Sequence, residues 1–325
     1  MAVYTQLEFD EIATLIAPMA LGRLIRAEGI AAGVENTTYF VDTQNQHSVI
    51  DQYVLTIAET LSRTDLEFIA SLMQILSARG LPVPAPAFFG NVFSARDAVL
   101  LIHGKPVLLV PRVAGTHPIS ATPALCNQLG ETLAKLHLVT LDLHDTHESH
   151  RSLQWVETCA RNLLPHLNKN DSTLLAEELA HLKDFVGTGT ELPQAIIHGD
   201  LFRDNVLVEG EHITALIDFF SAGSGYVLLD LAIAVNDWCF DAEDNFDAIC
   251  YHALISAYRA TRQPQPAEVR HWGRLLRIAA LRFWVSRLNE QLLAGTHAPP
   301  GRGKNPLPYR RLLLRHRRQP MALKP

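Results

Sequence analysis

The chain has 325 residues, 48% of them hydrophobic and 19% charged, with a formal net charge of −6. This composition suffices for one large or two ordinary domains and excludes a disordered, collagen-like or disulfide-stapled protein. Gly301 onward carries eight basic residues and no acid, leaving −14 on the first 300 residues, an acidic body unsuited to neutralising nucleic-acid phosphates.

In chain order, residues 9–17 have helical spacing, and 23–31, 37–43 and 48–58 read as strands separated by turns. An amphipathic helix follows over 63–80, with Thr64 or Asp65 as cap and Gly80 as terminator. The prolines of 81–88 enforce an extended linker, and the apolar runs 97–102 and 105–113 flank a hairpin turn at His103–Lys105. From there the character changes: helical patterns cover 122–139, 153–165 and 172–186, a strand–loop–strand unit covers 195–218, and the remainder is nearly all helix. The reading is a β-rich region over 1–112 and a mostly helical one over 113–325, with the basic tail as a solvated terminal helix. No run of 18 apolar residues occurs, so no membrane-spanning helix is expected. The acidic start has no leader pattern. Cys126, Cys159, Cys239 and Cys250 form no C-x-x-C pair and read as buried thiols of a cytoplasmic protein.

Neither a Walker-type loop nor a G-x-G-x-x-G fingerprint is present. The informative stretch is 195–223. Short apolar strands at 196–197, 206–208 and 213–217 frame a polar loop from His198 to Asn205, and Asp218 follows the third strand directly. The hairpin would return Asp218 toward Asp200 and Asn205. Phosphoryl transfer from ATP needs such a set. One carboxylate accepts the proton of the attacking hydroxyl, and an amide oxygen and a second carboxylate hold Mg²⁺. The interval from Asp200 to Asn205 matches H-x-D-x-x-x-x-N. The competing reading is an ordinary polar turn.

The segment HGDL…DN…ID resembles the small-molecule branch of the protein-kinase-like fold, shared by aminoglycoside phosphotransferases and choline kinases. Residues 21–43, 226–240 and 281–288 are similar to the homoserine kinases of this fold, and the likeness runs to about residue 292. The resemblance implies a bilobal α+β protein, with a β-rich nucleotide-binding lobe and a helical catalytic lobe. Its activity would be transfer of the ATP γ-phosphoryl group to the hydroxyl of L-homoserine in threonine biosynthesis. Other acceptors on the same fold (choline, an aminoglycoside, methylthioribose) and a non-catalytic nucleotide-binding module remain as alternatives.

The same resemblance assigns roles. Asp200 is the catalytic base, and Asn205 and Asp218 hold Mg²⁺. The turn bearing Gly33, Asn36 and Thr37 covers the ATP phosphates, although Gly and Asn also suit a plain hairpin. Thr56 stands where kinases of this fold carry a phosphate-gripping lysine, and no lysine precedes Lys105. Glu67 is either that lysine's usual helix partner or a first-turn carboxylate on the helix dipole, and Arg63 is a substitute cation. Asp230 braces the catalytic loop. A zwitterionic acceptor calls for one anion and one cation. Asp237 suits the ammonium or is a polar residue satisfied by main chain, and Arg282 suits the carboxylate. Arg287 is a second candidate for the carboxylate, or a stem packed along its helix with its head in water. His144, His147 and His150 read as a solvated loop and not as a metal site.

Overall fold

The computed structural model describes residues 4–30, 36–143, 145–241, 245–294 and 305–323. The chain divides into two compact units. The first is residues 1–116 with 207–209 and 214–220, and the second is 117–206 with 210–213 and 221–325.

The first unit opens with α1 (Phe9–Ile16), held by a capping box between Glu8 and Glu11. Strands β1 (Arg23–Ile30), β2 (Thr37–Gln44) and β3 (Ile50–Ile57) follow. Helix α2 (Arg63–Ala78) starts at Ser62, whose side chain caps the Asp65 N–H while Asp65 returns the bond. The cap therefore falls ahead of Thr64 and Asp65. A single turn α3 (Ala95–Ala98) takes the start of the expected fourth strand, and β4 (Val99–Ile102) and β5 (Lys105–Pro111) complete an antiparallel sheet of order β1-β2-β3-β5-β4. Alternation divides its residues. Val41, Leu55, Ile57, Val107 and Leu109 pack with Ile12 and Ile16 of α1 in one core, while Thr56 and Leu108, paired across β3 and β5, belong to the opposite face.

The second unit holds α4 (Pro123–Leu141), α5 (Leu153–Leu163) and α6 (Lys169–Thr188). Strand β6 (Gln194–Ile197) pairs with β9 (Gly223–Tyr226); β7 (Val206–Glu209) and β8 (His212–Leu216) pair with each other, and residues 207–209 and 214–216 of them belong to the first unit. Then come α7 (Val227–Trp238), α8 (Ala248–Thr261), α9 (Pro266–Ala294) and α10 (Leu307–Arg318). In α7 every residue from Val227 to Asn236 is buried, as expected of a helix packed on all sides. Helices α4 and α8 approach so closely that a Cβ on Gly130 would lie 2.2 Å from the Leu254 carbonyl oxygen.

The basic tail departs from the expected solvated helix. In α10, Tyr309, Leu312, Leu313 and His316 are buried and the helix packs on α9. Its arginines pair with α6, Arg310 with Asp171 and Arg317 with Glu177 at 2.6 Å. An apolar stripe among basic residues is what docks it. Among the described residues no helix is long and apolar enough to cross a membrane, and all four cysteines are free and buried.

Candidate active site

The loop after β6 is built on Gly199, which sits at φ +77°, where a Cβ would lie 2.8 Å from the Ser221 carbonyl oxygen. Only glycine takes this conformation without strain. Helix α7 holds the loop from beneath: Asp230 accepts the main-chain N–H of His198 at 2.7 Å and of Gly199 at 2.8 Å. Asp230 is fully buried. Burial pushes its pKa up, but the hydrogen bond and charge of His137, the field of His198 and the Gly199 N–H outweigh that and hold it below the ordinary carboxylate value. Asp230 is thus the brace that the sequence suggests.

Behind Asp230 lies a buried chain that the sequence did not reveal. His137 Nε2 is 3.3 Å from Asp230, His137 Nδ1 is 2.8 Å from the Tyr258 hydroxyl, and that hydroxyl accepts from Arg262 at 3.2 Å. Arg262 is in turn gripped by both oxygens of Glu268 at 3.0 Å. Arg262 only donates, so Tyr258 O–H points to Nδ1 and Nε2–H to Asp230. One proton arrangement satisfies every member.

Arg282 of α9, expected to receive a carboxylate, is buried. It donates through Nη1 to the Gly199 carbonyl at 2.6 Å and through Nε to the Arg151 carbonyl at 3.0 Å. Gly199 is therefore held by its N–H on one side and its carbonyl on the other. Asp237 accepts from the main-chain N–H of Arg203 at 2.8 Å and from the Arg203 guanidinium at 3.1 Å. Between these anchors, Asn205 Nδ2 donates to the main-chain oxygen of Asp200 at 2.7 Å and to its carboxylate at 2.9 Å. Both bonds require the amide nitrogen, so the atom left over is the amide oxygen Oδ1. Asp200 itself is half-buried.

The tail contributes here as well. Phe202 of the loop lies edge-on to Phe283, ring centroids 4.4 Å apart, and 6.1 Å from Tyr309 of α10. Arg287 stacks on the Tyr309 ring at 4.2 Å and gives Nη1 to the Asn305 carbonyl. Sequence reading missed Tyr309, because nothing in a basic tail says which ring it will meet. The segment 145–152, expected to be solvated, is tied down instead: the Ser149 hydroxyl donates to the Ser221 carbonyl at 2.7 Å and the Ser224 N–H to that of His147 at 2.7 Å. His144 lies outside the described residues. A cavity of about 450 Å³ beside Gly199 and Arg282 is lined also by Arg151, Glu157 and Lys183.

In the first unit, Asp218 follows β8 and adopts φ +63°, a left-handed conformation uncommon for a non-glycine residue and found at functional turns. Oxygen donors such as Asn205 Oδ1 and the Asp218 carboxylate suit a hard divalent cation. No group of three or more His, Cys, Asp or Glu among the described residues is arranged to hold a metal.

Gly33 lies outside the described residues. The Asn36 side chain accepts the Glu59 N–H at 3.3 Å. Thr37 is fully buried; its hydroxyl donates to Glu59 at 2.6 Å and accepts the N–H groups of Tyr4 and Thr5. Lys105 ion-pairs with Glu59 and reaches Thr5 at 2.7 Å. Both side chains thus fasten the N-terminal segment to the sheet, a task the sequence did not suggest. Lys105 shares its strand face with Val107 and Leu109, the α1 side, whereas Thr56 belongs to the other face. Lys105 therefore does not replace a lysine at the Thr56 position. Glu67 pairs with Arg63 at 2.8 Å along α2, the ordinary first-turn arrangement.

Residues 26–267 match a family of phosphotransferase enzymes. The chain is 40% identical to the homoserine kinase of Pseudomonas aeruginosa (strain UCBPP-PA14) over 291 residues, covering 89% of this chain and 88% of the relative. It is 36% identical to the homoserine kinase of Methylobacillus flagellatus over 317 residues, covering 96% and 94%. Among solved structures it is similar to the amicoumacin kinase hAmiN in complex with AMP-PNP, Ca²⁺ and Ami, with a TM-score of 0.65 and 17% identity over 98% of this chain and 96% of the other. That likeness gives the fold, a β-sheet N-terminal region and a helical C-terminal region of kinase type.

Proposed function

The chain belongs to the phosphotransferase enzyme family, and from that premise we propose that it is a homoserine kinase, transferring the γ-phosphoryl group of ATP to the hydroxyl of L-homoserine. The product is O-phospho-L-homoserine, an intermediate of threonine biosynthesis. The observation that carries the reading is identity of 36–40% to homoserine kinases along at least 89% of the chain.

In this reading Asp200 orients the acceptor hydroxyl and takes its proton as the oxygen attacks the γ-phosphorus. Asn205 fixes the Asp200 carboxylate through Nδ2, and Asp230 and Arg282 fix the backbone that carries it. Asn205 Oδ1 and Asp218 are the proposed protein ligands of Mg²⁺, which when bound neutralises charge on the triphosphate. Thr56 offers no cation, so the turn bearing Gly33, Asn36 and Thr37 is proposed to meet the phosphates with main-chain N–H groups. For the acceptor's own charges, Asp237 is bound to Arg203 and Arg282 to two carbonyls. The cavity beside Gly199 supplies Arg151 and Glu157, a cation and an anion of the kind a zwitterion requires.

The test is ADP release with a panel of acceptors. Homoserine should be preferred, and a preference for choline, an aminoglycoside or methylthioribose would overturn the assignment. Asp200→Asn should lower turnover by about 10²- to 10⁴-fold while MgATP still raises the melting temperature. Wild-type turnover in that variant would remove Asp200 from the mechanism, and MgATP having no effect on the wild-type melting temperature would favour a protein that does not use ATP.

A further inference from the structure

The second unit has another cavity, of about 410 Å³, between α6, α9, α10 and residues 320–322. Its polar lining is His181 of α6, Arg270, Arg274 and Arg277 of α9, and His316 and Arg317 of α10; among the described residues no acidic one lines it. The tail closes directly over α9, where a Cβ on Gly273 would lie 3.1 Å from the Met321 carbonyl oxygen. The carboxylates that pair with these arginines stand outside the lining. Glu191 meets Arg270 at 2.6 Å, Asp184 meets Arg274 at 2.7 Å, Glu178 meets Arg277 at 2.6 Å and Arg317 at 3.2 Å, and Glu177 meets Arg317 at 2.6 Å.

Those pairs leave polar atoms unmatched. Arg274 gives Nη1 to Thr188 and Nη2 to Asp184, and its Nε is buried with no partner. His316 is buried, and its Nε2 lies 2.8 Å from Asn236 Oδ1. Asn236 Nδ2 donates to the Leu276 carbonyl, which fixes the amide so that Oδ1 must accept and His316 Nε2 must carry the proton. His316 Nδ1 is then a bare lone pair, buried and unpartnered, and His181 Nε2 is also buried without a partner. Burial keeps both rings neutral, with pKa values pushed down to about 4. The positive fields of Arg277 and Arg274 add to this at His181, and that of Arg315 at His316. A buried polar atom without a partner carries a desolvation cost that a ligand relieves.

We propose that this cavity binds a phosphate group, either as the free ion or as a phosphomonoester. Arginine N–H donors meet its oxygens, and the His316 Nδ1 lone pair accepts the hydrogen bond of the one proton that hydrogenphosphate carries. A metal cation does not fit, because every charged residue among the described lining is an arginine. The site is separate from the catalytic loop and stands whether or not homoserine is the acceptor. His316 touches Asn236, the neighbour of Asp237 on α7, so occupancy would be felt next to an anchor of that loop.

The experiment uses the full chain with isotopically labelled histidine, the His181 and His316 ring signals being assigned through His181→Gln and His316→Gln. At pH 7 it is titrated with sodium phosphate and, separately, with phosphoserine, against sodium chloride at matched ionic strength. Both rings should move saturably with at least one phosphate compound and not with chloride. Arg274→Gln should weaken that response at least about tenfold, with melting temperature and kinase turnover at saturating substrate unchanged. Response to phosphate alone identifies the free ion, and response to phosphoserine identifies a monoester. Stationary rings, equal movement with chloride, or an undiminished response in a folded Arg274→Gln protein would each overturn the proposal.

Discussion

Asn205 holds Asp200 twice through one nitrogen, at the main-chain oxygen and at the carboxylate, 2.7 and 2.9 Å away. The base is therefore pointed by the same residue whose remaining oxygen is proposed for the metal. Asn205→Leu removes both bonds and the oxygen, and turnover should fall by roughly 10²-fold or more with little change in melting temperature. Asn205→Asp restores an oxygen but no donor and sets two carboxylates side by side, so it should not rescue the rate. A steady-state comparison of the three proteins checks this.

Asp230→Asn tests the brace. An amide in place of the carboxylate can accept through one oxygen, so an NH₂ group confronts either the His198 or the Gly199 N–H. Removing one partner of a buried charged network costs about 3–5 kcal/mol, to be read from urea unfolding. The residual folded enzyme should be slow, with kcat reduced more than the KM for ATP, because Asp230 acts through the loop backbone and not on the nucleotide.

Stability should fall in acid in two windows. His181 and His316 have folded pKa values near 4, and burial also depresses that of His137 despite the opposing pull of Asp230. The unfolded chain binds protons below about pH 6.5 that these folded rings refuse, so stability declines as pH drops from there toward 4. For the buried His316 the difference corresponds to about 3 kcal/mol. Asp230 works lower: its depressed pKa contributes stability above the ordinary carboxylate value that is lost only as pH falls through its folded pKa. Unfolding free energies from pH 7 to 4 in chloride buffer should slope downward, and His316→Gln should flatten part of that slope.

Two glycines should respond in opposite directions. Gly130→Ala drives a methyl group into the Leu254 carbonyl and should destabilise by about 1–3 kcal/mol, or more if α4 and α8 cannot separate. Gly187 in α6 has nothing within 4 Å of an added Cβ, so Gly187→Ala should stabilise by about 0.5–1 kcal/mol. Thermal melts of both variants decide it.

What the sequence by itself determined was local: strand alternation, the 198–205 loop with its D-x-x-x-x-N interval, and the division into sheet and helices. Each of these follows from residue periods and backbone preferences over a few neighbours. Tertiary structure alone decided which polar groups serve one another. From the sequence Asp237 offers itself to any cation and Arg282 to any anion; the fold gives Asp237 the Arg203 N–H and Arg282 the carbonyls of Gly199 and Arg151 as protein partners. The tail reads as solvated from its charge, yet Tyr309 reaches Phe202 across 107 residues. A side chain's hydrogen-bonding capacity is written in its chemistry, but the atom that answers it is set by packing between segments far apart in the chain.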